Sequence, residues 1–101
     1  MEWFWGWSGK CIGYRIEDAL FTCEGKQLGQ FAEGDEVYGS NGDYLGEVRN
    51  SDRLITNLSK ITWKRSTFSP SFSKIASERT DTSAKQIPVG FQDFPFPSRP
   101  T

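Results

Sequence analysis

The sequence predicts an all-β fold of four pseudo-symmetric antiparallel β-hairpin repeats, an eight-strand meander of flower- or barrel-like shape, followed by an irregular Pro/Phe-rich C-terminal tail. Three observations predict it. Aligning Gly9, Gly25 and Gly42, at offsets of 16 and then 17 residues, also aligns Gly13, Gly29 and Gly46, and Ile12, Leu28 and Leu45. The same offsets align one apolar pair just upstream of each loop: Phe4-Trp5, Leu20-Phe21, Val37-Tyr38 and Leu54-Ile55. Finally, all five prolines lie after residue 69, whereas nine of the ten glycines lie before residue 47, so the composition changes near residue 66. A fixed period of this kind marks a repeated supersecondary unit.

Each unit reads as strand, two-residue turn, strand. Asn41-Gly42, set between Val37-Tyr38 and Tyr44-Leu45, is expected to form a type I′ turn with positive φ at both central residues. By register, Ser8-Gly9 and Glu24-Gly25 take the same turn. Polar second turns at Glu17-Asp18, Glu33-Gly34-Asp35 and Asn50-Ser51-Asp52 join the units. The fourth copy departs most, with Leu58-Ser59-Lys60 at its turn and Trp63 where the others carry glycine.

Counting outward from the turns assigns the faces. One face is expected to carry Trp5, Phe21, Tyr38 and Ile55 with Ile12, Leu28 and Leu45. The other carries Phe4, Leu20, Val37 and Leu54, opposite Gly13, Gly29, Gly46 and Trp63. Both faces are apolar, so each requires a cover. Glycine at one place in three units points to close backbone approach around a pseudo-symmetry axis.

These features divide the chain into a β-hairpin repeat domain over residues 1–65 and an extended Ser/Thr/Pro/Phe-rich tail over residues 66–101. The tail holds five of the eight phenylalanines, more than a free linker would carry. Phe94 and Phe96, punctuated by proline, are expected to pack on an apolar sheet face of the same chain or of a neighbour. The receiver is expected to be the strip Trp3, Trp5 and Trp7, which alternate along one strand. These five residues form the candidate binding set; no catalytic or metal-binding set is expected.

Composition narrows the function classes. With 12 Lys+Arg against 13 Asp+Glu, the chain has no charge excess to draw it to nucleic acid or an anionic membrane. It has no histidine, which removes the usual general base at neutral pH and the commonest transition-metal ligand. No cofactor is expected. The acidic turns and the rim lysines Lys10, Lys26 and Lys60 are expected to be solvated. Cys11 and Cys23 are expected on opposite sheet faces, too far apart for a disulfide, and hence to be two free thiols. That fits a cytoplasmic location, and no signal peptide or membrane-spanning segment is read.

The recurring pattern, seen in Gly25-Lys26-Gln27-Leu28-Gly29-Gln30-Phe31 followed by Gly34-Asp35-Glu36-Val37-Tyr38, resembles the bacterial 4-fold β-flower domain. The resemblance covers roughly residues 1–60 and implies short hairpins about a pseudo-fourfold axis. It brings no assigned catalytic or binding residues. Gly34–Val48 also looks like the opening hairpin of a PRC-barrel domain, a match limited to one unit. The expected function is a non-enzymatic interaction or assembly module that self-associates or binds a protein partner. The alternative is a carbohydrate- or peptide-binding module using the tryptophan strip, with a small carboxylate hydrolase as a distant third.

Overall fold

The computed structural model describes residues 2–22, 24–32, 35–71 and 80–95. Seven strands follow one another as an antiparallel meander: β1 (Glu2–Gly6), β2 (Cys11–Ile16), β3 (Ala19–Thr22), β4 (Gln27–Ala32), β5 (Glu36–Tyr38), β6 (Tyr44–Arg49) and β7 (Arg53–Asn57). Because an odd number of alternating strands brings the first and last into the same direction, the barrel closes through a parallel pair, Trp5 with Arg53 and Gly6 with Leu54. A 3-10 turn, Leu58–Lys60, then carries the chain off the barrel, and an eighth strand, β8 (Phe91–Asp93), returns to pair with β7. Among the described residues no helix is long and apolar enough to cross a membrane.

The hairpin loops differ from the two-residue turns expected. In the third, Gly39 N–H donates to Asp43 O at 2.8 Å and Gly42 N–H to Gly39 O at 2.9 Å, leaving three loop residues. Gly42 has φ +88°, whereas Asn41 is not among the positive-φ residues. This is the three-residue loop that ends on a left-handed glycine. Asn41 instead uses its side chain, whose Oδ1 accepts from Asp43 N–H at 3.0 Å.

The lengthened loops displace the register and correct the face assignment. The pairs Phe4–Gly13, Leu20–Gly29 and Val37–Gly46 stand opposite each other as expected. Immediately beyond each, a bulge intervenes, and Trp5 pairs with Cys11, Phe21 with Gln27 and Tyr38 with Tyr44. The extra residue at each bulge is Ile12, Leu28 or Leu45. A bulge places two residues against one, so these side chains turn inward rather than joining Tyr38 outside. The core cluster accordingly holds Phe4, Ile12, Leu20, Phe31, Val37, Leu54 and Phe94, with Leu28, Leu45 and Val48 packed against it. Cys11 is buried; Cys23 lies outside the described residues, and with it the expected separation of the two cysteines.

The fourth hairpin is not completed by the residues that follow β7, which corrects the expected eight-strand meander. Trp63 does not face Leu54. It is 45 % exposed, its ring lies 6.5 Å from that of Tyr44, and its carbonyl accepts from Tyr44 N–H at 3.1 Å. From there the chain follows the loop end of the barrel. Arg65 N–H donates to Gly42 O at 2.8 Å and Phe68 N–H to Ser40 O at 3.0 Å. Ser71 O accepts from Gln27 N–H at 3.0 Å, and Thr82 N–H donates to Gly9 O at 2.7 Å. The described part of the tail thus touches the third, second and first hairpins in turn.

Candidate functional site

The distinctive site is a seat for one extended segment beside β7. The N-terminal half of β7 is paired with β1, which leaves that edge at Gly6. Beyond it the backbone groups of Ile55, Thr56 and Asn57 face Asp93, Gln92 and Phe91 of β8. Two strands from opposite ends of the chain therefore share one edge end to end. Asp93 joins them: one carboxylate oxygen accepts from Trp7 N–H at 2.7 Å and Phe94 N–H at 2.9 Å, the other from Ser8 N–H at 3.2 Å. The carboxylate satisfies donors that β1 exposes where its ladder stops.

Phe94 is the anchor. Only 1 % of it is exposed, and it lies among Phe4, Leu20, Val37 and Leu54 inside the barrel. Gly46 makes room for it, since a Cβ there would stand 2.5 Å from Phe94 Cδ1. Outside, the Arg49 guanidinium lies 4.7 Å from the centre of the Phe91 ring. Leu58 N–H donates to Gly90 O at 2.9 Å, closing the seat at its far end.

The predicted set is only partly brought together. Phe94 packs on the same chain, but its receiver is the barrel interior beside Gly46 rather than the tryptophan strip, because the missing side chain at Gly46 leaves the space its ring occupies. Phe96 lies outside the described residues. Trp3 and Trp5 are on β1, and Trp7 falls in the loop after it. Trp3 packs on Tyr14 at 5.3 Å between ring centres. Trp5 and Trp7 do hold the tail, through its backbone: their indole N–H groups donate to Thr80 O at 2.9 Å and Gln86 O at 2.8 Å. Arg53 adds a bond to Ser83 O at 2.9 Å. Beside Trp5 a shallow recess of about 240 Å³ is bounded by Asn50, Asp52, Arg53, Thr82 and Lys85.

Sequence reasoning missed a charged cluster on the outside of the barrel. Glu36 and Glu47 face each other across β5 and β6, and Lys60 Nζ donates to both, at 2.9 Å and 2.8 Å. Tyr44 OH donates to Glu47 at 2.9 Å and Tyr38 OH to Glu36 at 3.1 Å. Lys60 is thus an anchor for the turn after β7, not the solvated rim residue expected. The only available signal was the departure of Leu58-Ser59-Lys60 from the glycine loops. Burial would raise the Glu47 carboxyl, but hydrogen bonds from Lys60 and Tyr44 outweigh it and hold the group below its ordinary value of 4.5. The bond to Glu47, then that to Glu36, raises Lys60 above 10.5 against the effect of burial.

A pH dependence follows. A carboxyl depressed by folding contributes stability above its unfolded pKa and loses it as pH falls through the folded value; a raised lysine contributes below its unfolded pKa and loses it as pH rises through the folded value. The contribution should therefore be complete between about pH 4.5 and 10.5 and decline outside that window. Glu47→Gln should cost roughly 1–3 kcal/mol at neutral pH, since Lys60 retains Glu36, and should flatten the acid limb. Melting curves of both proteins from pH 3 to 8, the range chosen to span a carboxylate titration, check this; parallel acid limbs would exclude Glu47 as the titrating group.

Comparison of the chain with family models, with curated proteins and with solved structures finds no match to any of them.

Proposed function

We propose that this chain is a non-enzymatic interaction and assembly module whose barrel is built to accept an extended segment along β7. The observation that carries this reading is the source of the closing strand. β8 and Phe94 follow β7 by more than thirty residues, yet they supply a ladder partner and a core side chain. Strand addition of this kind obtains affinity from the backbone ladder and selectivity from side-chain pockets. Here the pockets select an aromatic at 91, a carboxylate at 93 and phenylalanine at 94.

The resemblance to a β-flower fits the same reading. Ile55 meets Asp93 where the repeat pairs Trp5 with Cys11, Phe21 with Gln27 and Tyr38 with Tyr44. Asp93 then stands at the place of Cys11, Gln27 and Tyr44, and Phe94 at the place of Ile12, Leu28 and Leu45. The fourth petal is β7 with a borrowed second strand. A non-enzymatic role is supported by the ion cluster, where Glu47 is held ionised by Lys60, whereas a glycosidase-type acid needs a raised pKa.

The test uses full-length Phe94→Asp, whose own segment no longer fills the core. A synthetic peptide of residues 86–95 should bind it saturably and shift its tryptophan emission, and a peptide with Asp93 and Phe94 both replaced by alanine should not. Phe94→Ala serves if the aspartate variant does not fold. Failure of the native peptide to bind either folded variant would sink the proposal. The recess beside Trp5 favours a second reading as a carbohydrate site, since an aromatic ring beside Asn50, Asp52 and Lys85 suits a hydroxyl-rich ligand. A glycan array with wild type and Trp5→Ala decides that.

A further inference from the structure

Resting on that reading of the seat, we propose that its partner is the same segment of a second copy of this chain, exchanged reciprocally by opening the turn at residues 88–91. Each copy carries one seat and one fitting segment, so exchange satisfies both at equal stoichiometry. The seat makes three demands at once: Phe94 in the core, Asp93 on the N–H groups of Trp7 and Ser8, and Phe91 under Arg49. In an exchanged pair each would be met by the atoms that meet it within one chain, which makes swapping a route to dimers of low energetic cost.

The connecting loop has the character of a hinge. Upstream, Gln86 is held by Trp7 Nε1; downstream, Phe91 begins the ladder. Between them the turn is closed by one long bond, Phe91 N–H to Pro88 O at 3.2 Å, with Gly90 at φ +88°. A Cβ built on Gly90 would meet no atom within 4 Å. Opening the loop costs that turn bond together with the Leu58 N–H to Gly90 O bond, which the second copy's Leu58 would restore in the exchanged pair, and disturbs no packing around Gly90. The loop also exposes two apolar side chains that the single chain does not cover, Ile87 at 45 % and Val89 at 101 %. They lie two residues apart, so in an extended hinge they share one face. Two such hinges crossing at a two-fold axis would cover each other, a contact that exists only in the exchanged pair.

Closure within one chain holds the advantage of a high local concentration, on the order of millimolar for a short connection. Wild type should accordingly be mostly monomeric at micromolar concentration and form mixed dimers when light and isotopically heavy copies are incubated together near millimolar. Removing Val89 and Gly90 from the full chain abolishes the turn and handicaps closure in cis; it also gives up the Val89 contact and the Gly90 acceptor of Leu58 N–H, losses that the handicap to cis closure outweighs. The deletion variant should dimerise at a concentration roughly tenfold or more below wild type, by light scattering, while keeping a native tryptophan emission spectrum. Adding Phe94→Asp should return it to monomer. A folded deletion variant that stays monomeric to millimolar concentration, or a dimer that survives Phe94→Asp, overturns the proposal. If the deletion variant does not fold, wild-type copies that form no mixed dimer, by native mass spectrometry, overturn it. Binding of the 86–95 peptide to Phe94→Asp separates the two ideas, because a seat that takes the peptide in a protein that never exchanges leaves the module and removes only the second copy as its partner.

Discussion

Replacing Phe94 by alanine should destabilise the whole barrel by about 3–5 kcal/mol, the cost typical of emptying a buried phenylalanine site. The ring is 1 % exposed and touches a core built from β1, β2, β3, β4, β5 and β7, so its loss removes contacts from strands far away in sequence. Collapse around the void is restricted by the ladder that still holds β8 to β7. For a chain of this size each kcal/mol displaces the melting midpoint by roughly 4–8 °C, so the variant should melt well over ten degrees lower. Phe91→Ala is the control. Its side chain is half-buried under Arg49 and outside the core cluster, so its loss should cost a small fraction of that. Urea denaturation followed by tryptophan emission measures both. Equal midpoints for Phe94→Ala and wild type would mean that the tail is no part of the folding unit.

How much of this was legible in the sequence depends on range. The positions of the glycine loops, the all-β character and the shared face of Phe4, Leu20, Val37 and Leu54 are local consequences of turn chemistry and alternation, and they could be read directly. Ile12, Leu28 and Leu45 were placed on the wrong face because the extra loop residue is absorbed by a bulge at each of them, which turns over that one side chain and leaves the pairing beyond it unchanged. Nothing in Asn41-Gly42 alone distinguishes a two-residue from a three-residue loop. The aromatic excess of the tail pointed to docking, and Phe94 does dock. Its seat could not be foreseen because β8 pairs with β7, and Phe94 enters the core, across a long separation in sequence, and the register of that pairing is fixed by tertiary fit. The Glu36–Lys60–Glu47 cluster was hidden for the same reason, since no spacing rule links residues 36, 47 and 60.

Gly13→Ala should cost more than any other single added methyl in the sheet. Gly13 lies on β2 opposite Phe4 on one side and Thr22 on the other, paired in both ladders. A Cβ at this position would run into the backbone carbonyl of Phe21, which no side-chain rotation can relieve. β2 and β3 would have to separate, and both belong to a closed barrel in which one displaced strand displaces its neighbours. Overpacking costs typically about 1–3 kcal/mol, and backbone obstruction in a closed sheet places this site at the upper end or beyond. Gly29 is the milder case, because its nearest neighbour is the Val37 side chain at 2.8 Å, with the Tyr38 carbonyl at 2.9 Å. Gly39 is the control: its φ is not positive, and a Cβ there meets Asn41 Oδ1 at 3.3 Å and Leu45 at 3.6 Å. Any glycine-to-alanine change also stiffens the unfolded chain, which stabilises by roughly 0.4–1 kcal/mol, so Gly39→Ala should be near neutral. Thermal melts of the three variants should rank Gly13→Ala lowest, Gly29→Ala between and Gly39→Ala beside wild type. Identical melts for Gly13→Ala and Gly39→Ala would show that β2 and β3 do not approach each other as closely as the register requires, and the glycines would then mark bulges rather than contacts around an axis.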